Sequence, residues 1–104
     1  MNVVQYFGSI IKRRVFEMRE FLNNKGFLVL EVSRERMVER LNKYGCQGIC
    51  DTCLCIPEVG YYVAVLNMWL CKECFDEWYS DAERYKEDIP IEERNFERYK
   101  SLLK

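Results

Sequence analysis

Two cysteine pairs decide the fold: residues 50–53 read Cys-Asp-Thr-Cys, and residues 71–74 read Cys-Lys-Glu-Cys. Seventeen residues separate the two pairs. Zinc prefers four soft or borderline ligands in a tetrahedron, and a two-residue spacer lets one tight turn direct both sulfur atoms of a pair at the same point. The sequence therefore predicts one zinc ion held by Cys50, Cys53, Cys71 and Cys74.

The predicted site is structural rather than catalytic. A catalytic zinc keeps one coordination position for water, whereas four thiolates leave none open. The sequence contains no histidine, the commonest general base. A cysteine nucleophile would therefore lack a histidine partner, and the adjacent carboxylates Glu92 and Glu93 would point to different sides of a helix. We expect that the chain is not an enzyme.

The other two cysteines, Cys46 and Cys55, are expected to be small buried apolar residues or free thiols. Cys55 lies two residues after Cys53, so an exchange of ligands between these two is a second interpretation. An iron–sulfur cluster is a rival occupant, since four cysteines can also hold one. The short spacers and the intervening hairpin favour zinc.

Composition and charge narrow the classes of protein to which the chain can belong. The chain has 104 residues, 49% of them hydrophobic, and a formal net charge of −1. Residues 1–45 carry a net charge of +4 and residues 46–80 a net charge of −4. This asymmetry indicates either a partner surface or, as we favour, charge matching within the molecule. Neither a signal segment nor an apolar run of about 18 residues is visible, so we expect a cytoplasmic protein with reduced thiols.

The hydrophobic pattern and the capping residues predict four helices and two strands. The predicted helices cover residues 3–24, 34–44, 71–86 and 91–103. The predicted strands cover residues 27–32 and 61–66. These two strands should pair with each other, because an isolated strand leaves its backbone groups without partners. Pairing with a second copy of the chain is the alternative.

The cysteine spacing resembles that of the GATA-type zinc finger, a member of the treble-clef group. Cys50, Cys53, Cys71 and Cys74 match its four ligand positions. The resemblance implies a hairpin over residues 61–66 and 68–70, followed by a helix that opens with the second pair. The DNA binding of that family is not implied, because the matching helix is acidic here and would repel phosphate.

The predicted fold class is α+β. A treble-clef finger at residues 46–87 follows a helix–strand–helix segment at 1–45 and precedes a C-terminal helix at 88–104, and the three form one compact domain. We expect a protein–protein interaction module, acting as a regulator or inhibitor that covers a protein partner. The alternative is a nucleic-acid-binding transcriptional regulator that uses a basic stripe on the second helix. That stripe consists of Arg36, Arg40 and Lys43.

Overall fold

A computed structural model describes residues 18–104. Within this range four strands and three helices follow one another along the chain. They are β1 (Met18–Glu20), β2 (Val29–Ser33), α1 (Arg34–Leu41), β3 (Val59–Val63), β4 (Met68–Leu70), α2 (Lys72–Asp81) and α3 (Ile89–Leu103). Short 3₁₀ turns extend α1 and precede α3, at Asn42–Tyr44 and Lys86–Asp88. The predicted α+β class is confirmed.

The four strands form one antiparallel sheet in the order β1-β2-β3-β4. Val29 lies opposite Val63 in the pairing of β2 with β3, and Tyr61 lies opposite Leu70 in the pairing of β3 with β4. The predicted pairing between the first strand and the strand of the cysteine region is therefore confirmed. The sheet joins the chain before the first cysteine pair to the chain between the two pairs.

Both faces of the sheet are covered, because successive side chains of a strand point to opposite faces. Leu30 and Tyr62 belong to a buried cluster that includes the apolar sides of α1 and α3. Val29 and Tyr61 belong to a second cluster, which contains Phe75 of α2 and two of the cysteines. The cysteine region thus occupies one face of the sheet, and the terminal helix occupies the other.

The predicted helix over residues 3–24 is wrong for its last part. Met18–Glu20 form an edge strand paired with β2, and the amide of Phe21 continues the pairing with a 2.8 Å hydrogen bond to Val29 O. Met18 packs into the cluster beneath α1 and α3, whereas Phe21 packs beside Phe75 on the opposite face. In a helix, residues three apart share one face, so Met18 and Phe21 would point to the same side. In the structure they point to opposite faces of the sheet, so strand pairing outweighs the helical pattern of the sequence here. Residues 3–17 of the predicted helix lie outside the described residues.

Other boundaries shift by a few residues. β3 covers residues 59–63 rather than 61–66, because the chain already turns at Ala64 and reverses through Asn67, whose φ is +56°. α2 ends at Asp81 instead of residue 86, and α3 begins two residues early at Ile89, with Pro90 in its first turn. The Ser33 cap of α1 is confirmed: its Oγ accepts the amide of Arg36 at 3.0 Å. Among residues 18–104, no helix is both long and apolar enough to cross a membrane.

Candidate metal centre

The first cysteine pair lies on a tight turn at residues 50–55, called the knuckle below, which is tied to the edge of the sheet. The amide of Leu54 donates to Cys50 O at 2.9 Å, and Leu54 adopts a left-handed φ of +66°. Asp51 anchors the knuckle to β4, since its amide donates to Trp69 O at 2.9 Å and its Oδ2 accepts the Trp69 amide at 2.8 Å. These bonds fix the direction in which Cys50 and Cys53 point.

The second pair opens α2 immediately after β4. Cys71 is the N-cap residue of the helix: its Sγ accepts the amide of Cys74 at 3.5 Å, and its carbonyl accepts the amide of Phe75 at 2.9 Å. The helix N-terminus favours negative charge, and a thiolate at this position therefore gains stability. The predicted start of the helix at the second pair agrees with this geometry.

The structure brings the four predicted ligands together. The Sγ atoms of Cys50, Cys53, Cys71 and Cys74 all lie within 4.8 Å of one another. A tetrahedron with Zn–S bonds of about 2.3 Å separates its sulfur atoms by about 3.8 Å. The Sγ atoms of Cys53 and Cys71 are 3.8 Å apart. The cluster can therefore hold one metal ion in a four-thiolate shell.

The four thiols differ in their burial and in the hydrogen bonds that they receive from main-chain amides. Cys50 and Cys71 are buried, Cys74 is half-buried and Cys53 is exposed. Burial acts to raise the pKa of Cys50, but hydrogen bonds from main-chain amides of the site outweigh it and lower this pKa to about 6. Burial raises the pKa of Cys74 well above its usual range. Metal binding must then displace protons, so the affinity should rise with pH.

The two remaining cysteines are not buried. Cys46 and Cys55 are both exposed, which corrects the expectation that they are small core residues and leaves the free-thiol interpretation. The neighbouring Cys53 side chain is the largest cause that raises the pKa of Cys55 to about 12. Cys46 lines a neighbouring cleft.

The predicted basic stripe is dispersed in the structure. The guanidinium of Arg36 donates to the carbonyl of Leu103, the last residue of α3, at 2.8 Å. The Nε of Arg40 lies 3.8 Å from a carboxylate oxygen of Glu39, and Lys43 Nζ lies 5.2 Å from the centre of the Tyr44 ring. Each cation of the stripe has a neighbour within the chain, and its contact with nucleic acid stays a prediction.

Sequence reasoning missed a cleft beside the knuckle. Its volume is about 240 Å³. Tyr62, Trp69 and Tyr99 contribute aromatic lining, and Asp51 and Leu54 of the knuckle also line it. The rings of Tyr62 and Tyr99 stack at 4.0 Å. These lining residues come from the knuckle, the sheet and α3, so no local sequence pattern indicates the cleft.

Comparisons of the chain with protein-family models, with curated proteins and with solved structures found no match.

Proposed function

We propose that this chain is a protein–protein interaction module in which a structural zinc ion holds the binding surface rigid. The observation that carries the proposal is the exposure of two large apolar side chains next to the metal centre. Leu54 is 72% exposed and Ile56 is 62% exposed. Four ligated cysteines would fix the knuckle that presents them, which lowers the ordering cost of binding.

The cleft beside the knuckle supports the same role. An aromatic wall next to exposed aliphatic residues is typical of the pockets that hold interface anchors. Its volume of about 240 Å³ suits one large side chain of a partner rather than a drug-sized ligand, which takes about 300 Å³ or more. The partner that fits best therefore inserts an apolar or aromatic side chain here.

Charge adds a second property of the partner. Residues 46–80 carry a net charge of −4 before metal binding, and a zinc ion with four thiolates adds a formal charge of about −2. The carboxylate of Asp51 lines the cleft itself. We infer a partner segment in which basic residues flank the apolar anchor, and a regulator or inhibitor that acts by covering this segment.

The order of the elements supports zinc as the metal and the treble-clef resemblance. A knuckle, a hairpin of β3 and β4, and a helix opened by the second cysteine pair follow one another as in that group. The closed four-thiolate shell and a sequence without histidine favour a non-catalytic role. Binding of nucleic acid through the basic stripe remains the alternative, and it is weaker because internal contacts occupy those cations.

The experiment compares partner capture by the metal-loaded protein with capture by three surface variants. Leu54→Asp and Ile56→Asp should abolish enrichment of the specific partner, because each places a carboxylate in the proposed apolar interface. Leu22→Asp is the matched control, since Leu22 is 87% exposed and lies in the β1–β2 connection. A partner that is captured equally by all three variants would refute the proposed surface, and enrichment of nucleic acid alone would favour the alternative.

A further inference from the structure

A single carboxylate lies at the open side of the cleft beside the knuckle. Among the described residues that line this cleft, Asp51 is the one with a carboxylate, and none is a lysine or an arginine. Asp51 and Leu54 of the knuckle are both exposed, whereas Tyr62 and Trp69 at the aromatic wall are buried. The cleft therefore combines an apolar interior with a negative charge at its solvent side.

The backbone of β4 holds the Asp51 carboxylate in a fixed position. Its Oδ2 accepts the amide of Trp69 at 2.8 Å, and the amide of Asp51 donates to Trp69 O at 2.9 Å. Trp69 is only 2% exposed, so the support is itself packed in the core. Among residues 18–104, no hydrogen bond or ion pair engages the other carboxylate oxygen, Oδ1. A fixed carboxylate with an oxygen available can bind a cation at a low ordering cost.

We propose that Asp51 selects the partner by binding a lysine or an arginine that lies next to the apolar anchor in the partner's sequence. The inference rests on the proposed function and deepens it, because it names the residue that reads the partner's charge. The anchor occupies the aromatic interior of the cleft, and the neighbouring cation reaches Asp51 at its open side. The alkyl stem of such a basic side chain can lie along the exposed Leu54 while its charged group meets the carboxylate.

The field of the metal centre acts in the same direction. Cys50 is both a candidate metal ligand and a lining residue of the cleft. A zinc ion with four thiolates carries a formal charge of about −2, and this charge adds to that of Asp51. An acidic partner segment would place like charges together, which costs affinity. Charge complementarity therefore favours a basic residue beside the anchor.

The test selects peptides from a random heptapeptide library on the zinc-loaded wild type, Asp51→Asn and Glu77→Gln. Asparagine keeps an oxygen for the Trp69 amide and removes only the charge. Glu77→Gln is the matched control, since it removes one exposed negative charge from α2. The wild type and the control should enrich peptides with a lysine or an arginine within two positions of a large apolar residue. Asp51→Asn should still enrich the apolar residue and lose the preference for the basic one.

A titration with one selected peptide, and with an analogue in which glutamine replaces its basic residue, completes a double-mutant cycle. Asp51→Asn should bind the basic peptide about 10-fold more weakly than the wild type does, the lower end of the coupling typical of close charge pairs at interfaces. The analogue should bind both proteins alike. Added salt should reduce the difference between the proteins for the basic peptide.

The outcomes separate this inference from the proposed function. A basic preference that survives Asp51→Asn, an equal loss for both peptides, or a wild type that enriches apolar peptides without a basic residue would overturn the role of Asp51 and leave the proposed surface standing. A wild type that enriches no peptide, or the same peptides as Leu54→Asp, would refute the proposed surface itself and this inference with it.

Discussion

At the scale of single residues, Glu92 shows how the terminal helix is fastened to the sheet. Its side chain is only 1% exposed. One carboxylate oxygen accepts the amide of Leu28 at 2.9 Å, and the other accepts the guanidinium of Arg84 at 2.8 Å. The carboxylate also lies in the first turn of α3, where the helix dipole favours negative charge. The sequence placed Glu92 only as a neighbour of Glu93 on a helix.

Removal of the Arg84 charge alone should therefore lower the free energy of unfolding more than removal of the charges of Arg84 and Glu92 together. Arg84→Met leaves a buried carboxylate without its cation, and we expect it to lower the free energy of unfolding by about 3 kcal/mol. Glu92→Gln keeps an acceptor for Leu28 and leaves Arg84, which is 29% exposed, partly hydrated. The Arg84→Met/Glu92→Gln double variant should be close to Glu92→Gln alone. Urea denaturation of the metal-loaded variants measures the three values, and strictly additive losses would contradict a coupled pair.

At the scale of elements, a glycine sets the close approach of β3 and β4. A Cβ atom on Gly60 would lie 2.4 Å from Trp69 Cε2 and 2.8 Å from Leu70 O. Trp69 is itself buried, and its indole nitrogen donates to Val32 O at 3.3 Å. The indole of Trp69 therefore lies against Gly60, and Trp69 belongs to the strand that leads directly to the second cysteine pair.

Gly60→Ala should destabilise the protein by about 1 to 3 kcal/mol, because the added methyl group overpacks this contact. The same substitution should cost less in a Trp69→Phe background, where the fused ring that the methyl group would meet is absent. Thermal unfolding of the two single variants and the double variant measures this coupling. Equal costs of Gly60→Ala in both backgrounds would show that the Trp69 contact is not the cause.

Elements set by local chemistry were predictable from the sequence. Ser33 supplies a cap by its own side chain, and Pro90 fits the first turn of a helix without losing a hydrogen bond. The pairing of β2 with β3 followed from the need to satisfy backbone groups. The convergence of the four cysteines followed from ligand spacing. The capping and proline signals each lie within a few residues, and the metal signal lies within one repeated motif.

Elements set by distant partners were not predictable. β1 is a strand because β2 offers it a free edge, and its residues read equally well as the end of a helix. The buried pair of Arg84 and Glu92 needs the amide of Leu28, which is far away in the sequence. The cleft likewise depends on the closed fold. Burial and tertiary pairing decide such features, and a pattern within one segment carries neither.

At the scale of the whole molecule, charge argues against strong binding of nucleic acid. Arg36, Lys72 and Lys100 of the described helices have partners within the chain. Residues 46–80, which contain the four candidate ligands, carry a net charge of −4. Strong phosphate binding typically needs about six to ten contacts. We expect a mixture of DNA and RNA to bind with a dissociation constant of about 10⁻⁴ to 10⁻⁶ M at physiological salt, the range of nonspecific binding.

A fluorescence titration at that salt tests this expectation. Arg40→Ala and Lys43→Ala should change the weak affinity little, and Lys104→Ala serves as a control for the loss of one positive charge elsewhere. Submicromolar binding that disappears in the Arg40→Ala variant and persists in the control would reverse the order of the two functions.

The central claim is that one metal ion on four cysteines keeps the segment between the knuckle and α2 folded. Structural zinc typically contributes on the order of 10 kcal/mol to such segments. Chelation should therefore release the amides that the knuckle and the helix start hold, while the sheet beneath α3 is less affected. Cys71→Ser should reproduce the chelated state in the presence of metal, and Cys46→Ser should behave like the parent protein.

Amide hydrogen exchange before and after chelation measures this most directly. The amides of Asp51, Trp69 and Phe75, which are hydrogen-bonded within the centre, should be protected with metal and exchange rapidly without it. The amide of Ala64, bonded to Leu28 O at 3.1 Å, should retain more of its protection. Protection of all four amides that is unchanged by chelation, or a purified protein that contains no metal, would contradict the account.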